Sequence, residues 1–106
     1  MFGDLSDMME KLKEAQQKIE ETKARLNTVL IEEEASNGKI KVVLTANSLV
    51  KSISISNELS DNEEIEDYLI IAMNKALERA NAIKETELAE AAKNGMPNIP
   101  GMDLFK

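Results

Sequence analysis

The first quarter of the chain repeats apolar residues with a heptad period. A leucine or isoleucine recurs every seven residues, and a second, mostly apolar residue follows each of them by three. This a/d spacing predicts one long helix from residue 4 to about residue 28. Its apolar seam is narrow, as in a helix that meets one partner helix rather than a broad core. The seam residues are Leu5, Leu12, Ile19 and Leu26.

The apolar period then changes to two, which is typical of strands. Asn37-Gly38 lies between two alternating runs. This pair favours a two-residue hairpin turn, because both central residues of such a turn need positive φ. The turn pairs Ala35 with Ile40 in two antiparallel strands.

A second two-residue turn is predicted at Asn47-Ser48, and it pairs Val42 with Ile53. Both turns place the same apolar residues on one face, which supports a three-stranded antiparallel meander. Glu33 and Lys51 also fall on that face, and the pattern does not explain them.

A second long helix follows the strands. Ser60 and Glu63 have the spacing of a capping box, and Lys93-Asn94-Gly95 with Pro97 beyond it is a good helix end. The resulting order, helix, three strands, helix, is an α+β fold. Two long helices and a small sheet leave apolar surface uncovered in a monomer, and a symmetric dimer would cover it. The seam of this helix includes Leu69, Ala76 and Ile83.

The chain divides into one domain, residues 1–94, and a tail, residues 95–106. The tail is rich in Gly and Pro and is expected to be loose or only partly ordered, with docking on a surface as the alternative. It nevertheless carries the apolar residues Met96, Ile99, Met102, Leu104 and Phe105.

Composition narrows the function. The 106 residues include no Cys and no His, which removes thiol chemistry and the commonest general base. No phosphate loop, nucleophile elbow or zinc spacing is present, so we expect no enzyme, no cofactor and no metal. Acids at Asp61, Glu63 and Glu64 fit a helix N-terminus better than a cation site. No secretion signal or membrane span is apparent, so a cytoplasmic protein is expected.

The chain is acidic, with 20 acidic against 13 basic side chains, yet residues 37–56 carry only positive charge. Those lysines fit a solvated outer face of the sheet. On the first helix, basic residues recur every seven positions, at Lys11, Lys18 and Arg25, and each has an acidic residue four positions earlier. The spacing favours helical ion pairs and is also compatible with a phosphate-binding row. On the second helix, Arg79 lacks such an acid and is predicted to be the least compensated base.

The order of these motifs resembles the YbaB/EbfC family of small bacterial nucleoid-associated proteins. The resemblance covers nearly the whole chain. It is carried by the helical stretch MMEKLKEAQQKIEE, the strand Gly38-Lys39-Ile40-Lys41-Val42, the strand Lys51-Ser52-Ile53-Ser54-Ile55, the helical stretch EDYLIIAMNKALERA, and the tail from Gly95 to Gly101 with Phe105.

The resemblance implies an α-β-β-β-α fold, a homodimer whose helices project like tweezers, and binding of duplex DNA with weak sequence preference. It implies no catalysis. An alternative from the composition is an acidic dimeric module that binds another protein through its helices or tail. Carried onto this sequence, the predicted DNA-binding residues are Lys11, Lys18, Lys23, Arg25, Lys75, Arg79 and Lys84.

Overall fold

The computed structural model describes the backbone of residues 2–95 and the side chains of residues 5–93. The predicted order, helix, three strands, helix, is confirmed. The prediction for the tail lies outside the described residues, and the division after residue 94 stays a prediction. The elements are α1 (Phe2–Leu26), β1 (Leu30–Ala35), β2 (Ile40–Thr45), β3 (Val50–Ile55) and α2 (Asn62–Gly95).

The start of α2 differs by one residue from the predicted capping box. Asp61 Oδ1 accepts a hydrogen bond from the amide of Glu63 at 3.0 Å, so Asp61 caps the helix and the prediction for Ser60 is wrong. A carboxylate next to the free amides of the first turn has a favourable interaction with the helix dipole, in addition to the hydrogen bond.

The sheet is an antiparallel meander in the order β1-β2-β3. Its first register is as predicted, with Ala35 opposite Ile40. The amide of Lys39 donates to the carbonyl of Ser36 at 3.1 Å. Between them, Asn37 has φ 56° and Gly38 has φ 83°, so the turn depends on residues that tolerate the left-handed region.

Gly38→Ala is expected to lower the free energy of unfolding by about 1–2 kcal/mol, because a Cβ is disfavoured at positive φ. The new Cβ would lie 3.5 Å from Glu34 Oε2, an ordinary contact, so backbone strain alone accounts for the loss. Urea unfolding measures it. Asn37→Gly, which relieves the same kind of strain in the same turn, should cause no loss. Equal stability of Gly38→Ala and the native protein would contradict this account.

The second turn is longer than predicted. Thr45 and Leu49 close a three-residue loop, in which the Leu49 carbonyl accepts from the Thr45 amide at 2.9 Å and Ser48 has φ 69°. The Thr45 hydroxyl oxygen accepts from the amides of Asn47 and Leu49, both at 3.2 Å. Leu44 is therefore opposite Val50, and a bulge at Lys51 restores the predicted pairing farther along β3.

The same turn fixes the end of α1. The side-chain amide of Asn47 donates to the carbonyl of Lys23 at 2.9 Å and to Asn27 Oδ1 at 2.7 Å. One carbonyl of the last helical turn, which has no partner within the helix, is thus satisfied by the sheet. The amide joins the base of α1 to the β2–β3 turn.

The core lies between α2 and the first two strands. Three alanines of α2, Ala72, Ala76 and Ala80, are fully buried and recur every four residues, which lets the helix approach the sheet closely. Leu26 of α1 is 0% exposed in the same cluster. Leu69 and Ile83 are partly buried against it. The core is therefore aliphatic and thin.

Much of the predicted apolar surface is uncovered in the single chain. Ile19 is half-buried, whereas Leu5 and Leu12 of the same seam are 61% and 48% exposed. Ile53 and Ile55 share the face that β1 and β2 bury, yet every residue of β3 is exposed, because α2 packs on β1 and β2. The molecule is elongated, with principal extents of 71 × 25 × 16 Å.

Candidate nucleic-acid interface

Beyond the sheet, α1 and α2 form an antiparallel pair of helices. Leu26, at the end of α1, lies in the core beside the first half of α2. Farther out, Ala15 and Ala91 are buried, and their small side chains let the two helices pack closely. A shallow groove runs between the helices and is lined by Lys18, Glu21, Thr22, Arg25, Glu87, Glu90 and Ala91.

The bases of α1 lie on two sides of its seam. Lys11, Lys18 and Arg25 are seven residues apart and share one exposed flank of the helix. Lys23 lies on the other flank, where its Nζ is 4.0 Å from Glu20 Oε1. None of the predicted i,i+4 pairs of the first flank is an ion pair among residues 5–93. Lys11 and Lys18 are thus available to a partner.

Arg25 instead bridges the two helices. Its Nη2 donates to Glu87 Oε2 of α2 at 2.5 Å. The two side chains are 51% and 37% exposed, so water screens the pair and its contribution to stability is small. A phosphate could therefore replace the carboxylate of Glu87 at Arg25 at little cost in stability.

Acidic side chains dominate the groove itself. Lys18 and Arg25 share it with Glu21, Glu87 and Glu90, two bases against three acids. An anion in the groove would face more carboxylates than cations. Lys18 and Arg25 belong both to the exposed flank and to the groove lining, so a phosphate is expected to approach them from the solvent side of α1 rather than enter the groove.

On α2, Arg79 is held by the sheet. Its guanidinium is paired with the Glu33 carboxylate, and Nη1 also donates to the carbonyl of Glu32 at 3.1 Å. The prediction that Arg79 is the least compensated base is wrong. The pair also accounts for Glu33, the acid that falls on the apolar face of β1. An acidic residue on the otherwise apolar face of a strand therefore indicates that the helix packed on that face carries a basic residue to pair with it.

The other predicted bases of α2, Lys75 and Lys84, form no ion pair within the described part of the chain. Lys75 is exposed and Lys84 half-buried. Lys75 precedes Glu87, the partner of Arg25, by 12 residues, or about 18 Å along the helix. The seven predicted residues therefore do not form one cluster.

The positive segment in the middle of the chain divides into paired and unpaired lysines. Lys39 Nζ lies 3.6 Å from Glu58 Oε2. Lys41 is opposite Glu34 in the sheet, and both are exposed. Lys51 is exposed at the bulge of β3. For residues 5–93, neither Lys41 nor Lys51 forms an ion pair, which sequence spacing did not reveal.

Within the described residues, no three acidic side chains come together as a cation site, and Asp61 acts as a helix cap. Neither of the two described helices combines the length and the apolar character needed to cross a bilayer. The chemistry of the described surface is therefore that of exposed cations and exposed aliphatic side chains.

Comparison with known proteins agrees with this arrangement. The model of the YbaB/EbfC DNA-binding family matches residues 1–96. A nucleoid-associated protein of Flavobacterium johnsoniae is 55% identical over 105 residues, which cover 97% of this chain and 99% of the relative. One of Psychrobacter sp. is 37% identical over 92 residues, covering 85% of this chain and 83% of the relative.

A solved structure shares the architecture. The crystal structure of an uncharacterized protein from Helicobacter pylori matches with a TM-score of 0.70 at 15% sequence identity, covering 81% of this chain and 90% of the other. At that identity the match shows the fold alone. The family description names DNA binding and no enzymatic activity. The match over residues 1–96 shows that this chain belongs to the YbaB/EbfC DNA-binding family.

Proposed function

We propose that this protein binds duplex DNA as a homodimer with weak preference for base sequence, and that it acts on the bacterial nucleoid. The observation that carries the proposal is the family match over residues 1–96. The nucleoid-associated relatives support it. The row of exposed bases on α1 supplies a surface that suits it.

The spacing of this row fits a phosphate backbone. Lys11 and Lys18 are seven residues apart, or about 10.5 Å along the helix. Three base pairs of duplex rise by about 10 Å. Successive basic side chains of the row can therefore reach phosphates along one stretch of DNA. Contacts to phosphates position a protein on the duplex but carry no base information. Weak sequence preference follows from this kind of contact.

The overall charge of the chain opposes binding, whereas the local charges decide where DNA is contacted. The chain carries a net charge of −7, which opposes approach to DNA at long range. At physiological salt the screening length is about 8 Å, so the nearest side chains decide the contact. We therefore expect binding that is weaker than that of a basic protein and that depends on a few lysines.

Fluorescence anisotropy of a labelled random-sequence duplex, titrated with the protein at about 50 and 200 mM salt, tests the proposal. Binding at the lower salt that weakens steeply at the higher salt is expected. Absence of binding at the lower salt would contradict DNA binding by the isolated protein. The acidic protein-binding module would then be favoured, with the exposed seam at Leu5 and Leu12 as its contact surface.

Exposed apolar side chains on one face of the sheet support the homodimer. Val50, Ile53 and Ile55 of β3 are 44%, 46% and 42% exposed on the face that β1 and β2 bury under α2. On α2, Ile70 is 57% exposed, and Met73 and Leu77 are only partly buried against the core. Their helical spacing puts these three residues on the side of α2 away from Arg79, which contacts β1. This stripe therefore lies towards β3, and the two apolar surfaces together suit a second copy.

Ile53→Lys is expected to convert the homodimer into a monomer, because a lysine in a symmetric apolar interface is buried twice without a partner. Sedimentation equilibrium measures the change. Leu30→Lys is the matched control, since Leu30 is 62% exposed on β1, the other edge strand. A dimer that persists in Ile53→Lys would exclude this face as the interface.

A further inference from the structure

The first half of α1 carries an apolar seam that α2 does not cover. Leu5, Met8 and Leu12 follow one another at helical spacing and are 61%, 52% and 48% exposed. Farther along the same helix, Ala15 and Leu26 of this seam are buried. The seam is thus continuous in sequence but covered over only part of its length.

The end of α2 lies where this uncovered seam begins. Ala91 shares the groove with Lys18 and Thr22 of α1, and α2 ends at Gly95, one turn later. The two helices are antiparallel, so a chain that continues beyond Gly95 in the same direction meets the first half of α1. The described end of α2, at Gly95, therefore lies next to the exposed seam.

The composition of residues 96–106 suits an apolar surface. Their side-chain charges, Asp103 and Lys106, cancel, so neither the acids nor the bases of α1 repel the segment as a whole. Prolines at positions 97 and 100 disfavour a helix and favour an extended segment that can follow a neighbouring helix. Apolar side chains make up nearly half of the segment: Met96, Ile99, Met102, Leu104 and Phe105.

The segment is also long enough. Eleven extended residues span at most about 36 Å. The seam from Ala15 to Leu5 covers ten residues of helix, or about 15 Å. A segment tethered at this distance has a high effective concentration at the seam, which a second molecule in dilute solution lacks.

We propose that residues 96–106 bind along the seam formed by Leu5, Met8 and Leu12 of the same chain. The segment covers the seam in the first half of α1, as α2 covers it in the second half. Burial of its apolar side chains against the three seam residues stabilises the contact. The proposal does not rest on DNA binding. It pairs the first half of α1 with residues 96–106, so that α1 has a packed partner along its length.

Paramagnetic relaxation enhancement tests the proposal in the full-length chain. The protein contains no cysteine, so Asp103→Cys accepts a single nitroxide label. In uniformly 15N-labelled protein, we expect loss of amide signal intensity in residues 5–12 and none around Lys75. Leu5→Ala with Leu12→Ala should abolish that loss. Ile71→Ala, which removes an apolar side chain that is 48% exposed on α2, should leave it unchanged.

A mixed sample separates contact within the chain from contact between chains. Nitroxide-labelled protein without 15N is mixed with 15N-labelled protein that lacks the cysteine. The proposal expects no intensity loss in residues 5–12 of the mixture. Intensity loss there, reduced only by the fraction of 15N-labelled chains that have a nitroxide-labelled partner, would assign the seam to the segment of a second copy and overturn the proposal. Absence of any loss in the single-species sample would overturn it as well.

Discussion

Leu26→Ala is expected to lower the free energy of unfolding by about 2–5 kcal/mol. Leu26 is 0% exposed and belongs to the cluster formed by the sheet and the alanines of α2. Removing its side chain loses buried apolar area and leaves a cavity where α1 joins the core. The small Ala72, Ala76 and Ala80 cannot move in to fill it. A domain of this size has a total stability of about 5–15 kcal/mol, so the loss is a large fraction of it.

Urea unfolding followed by circular dichroism at 222 nm measures this effect. Leu30→Ala makes the same chemical change four residues later, at a side chain that is 62% exposed. Its effect should stay within about 0.5 kcal/mol. Similar losses in the two variants would show that Leu26 is not the residue that secures α1 to the sheet.

Lys11→Glu combined with Lys18→Glu is expected to reduce affinity for duplex DNA about 100-fold, at about 50 mM salt, for each chain of the dimer that contacts the duplex. Each phosphate contact contributes about tenfold at that salt through counterion release, and the introduced acids add repulsion. The slope of log affinity against log salt should fall in magnitude by about 2 per chain. Both lysines are without an ion-pair partner in the described part of the chain, so the substitutions break no ion pair of the fold.

The matched control for the charge reversal is Lys13→Glu, on the same helix but on the opposite side from the row. Its effect on affinity should be much smaller. In the other direction, Glu87→Gln frees Arg25 from its ion pair and should raise affinity, whereas Glu58→Gln, which frees Lys39 beside the sheet, should not. A loss in Lys13→Glu equal to the loss in Lys11→Glu or Lys18→Glu alone, each of which makes the same change in net charge, would mean that overall charge, and not this row, governs binding.

The fold was predictable from the sequence where a short run of residues favours a single backbone conformation. Asn37-Gly38 admits a tight turn with two positive φ values, and the register of β1 and β2 followed from it. The second turn was predicted one residue too short, because the hydrogen bonds to the Thr45 hydroxyl that favour the longer loop have no counterpart in hydropathy. The bulge at Lys51 offsets this one-residue difference in the loop, so the predicted pairing of Val42 with Ile53 is still correct.

The candidate interface was less predictable, because ion pairs between distant segments do not follow from spacing. Arg25 was predicted to pair within α1 and instead pairs with Glu87, 62 residues later. Arg79 was predicted to be the least compensated base of α2 and instead pairs with Glu33, 46 residues earlier. The spacing did place Lys11, Lys18 and Arg25 on one flank, since that depends on helix geometry alone.

The attachment of α1 through the side chain of Asn47 makes the helix a lever. The two hydrogen bonds of that amide lie at the base of the helix, and Leu5 lies 21 residues, or about 32 Å, away. A tilt of about 10° of α1 together with the second half of α2, which packs against it as far as Ala15, displaces the far end of α1 by about 5–6 Å, which is the rise of one to two base pairs. In a dimer, two such levers would adjust the width of their opening through small changes at the sheet.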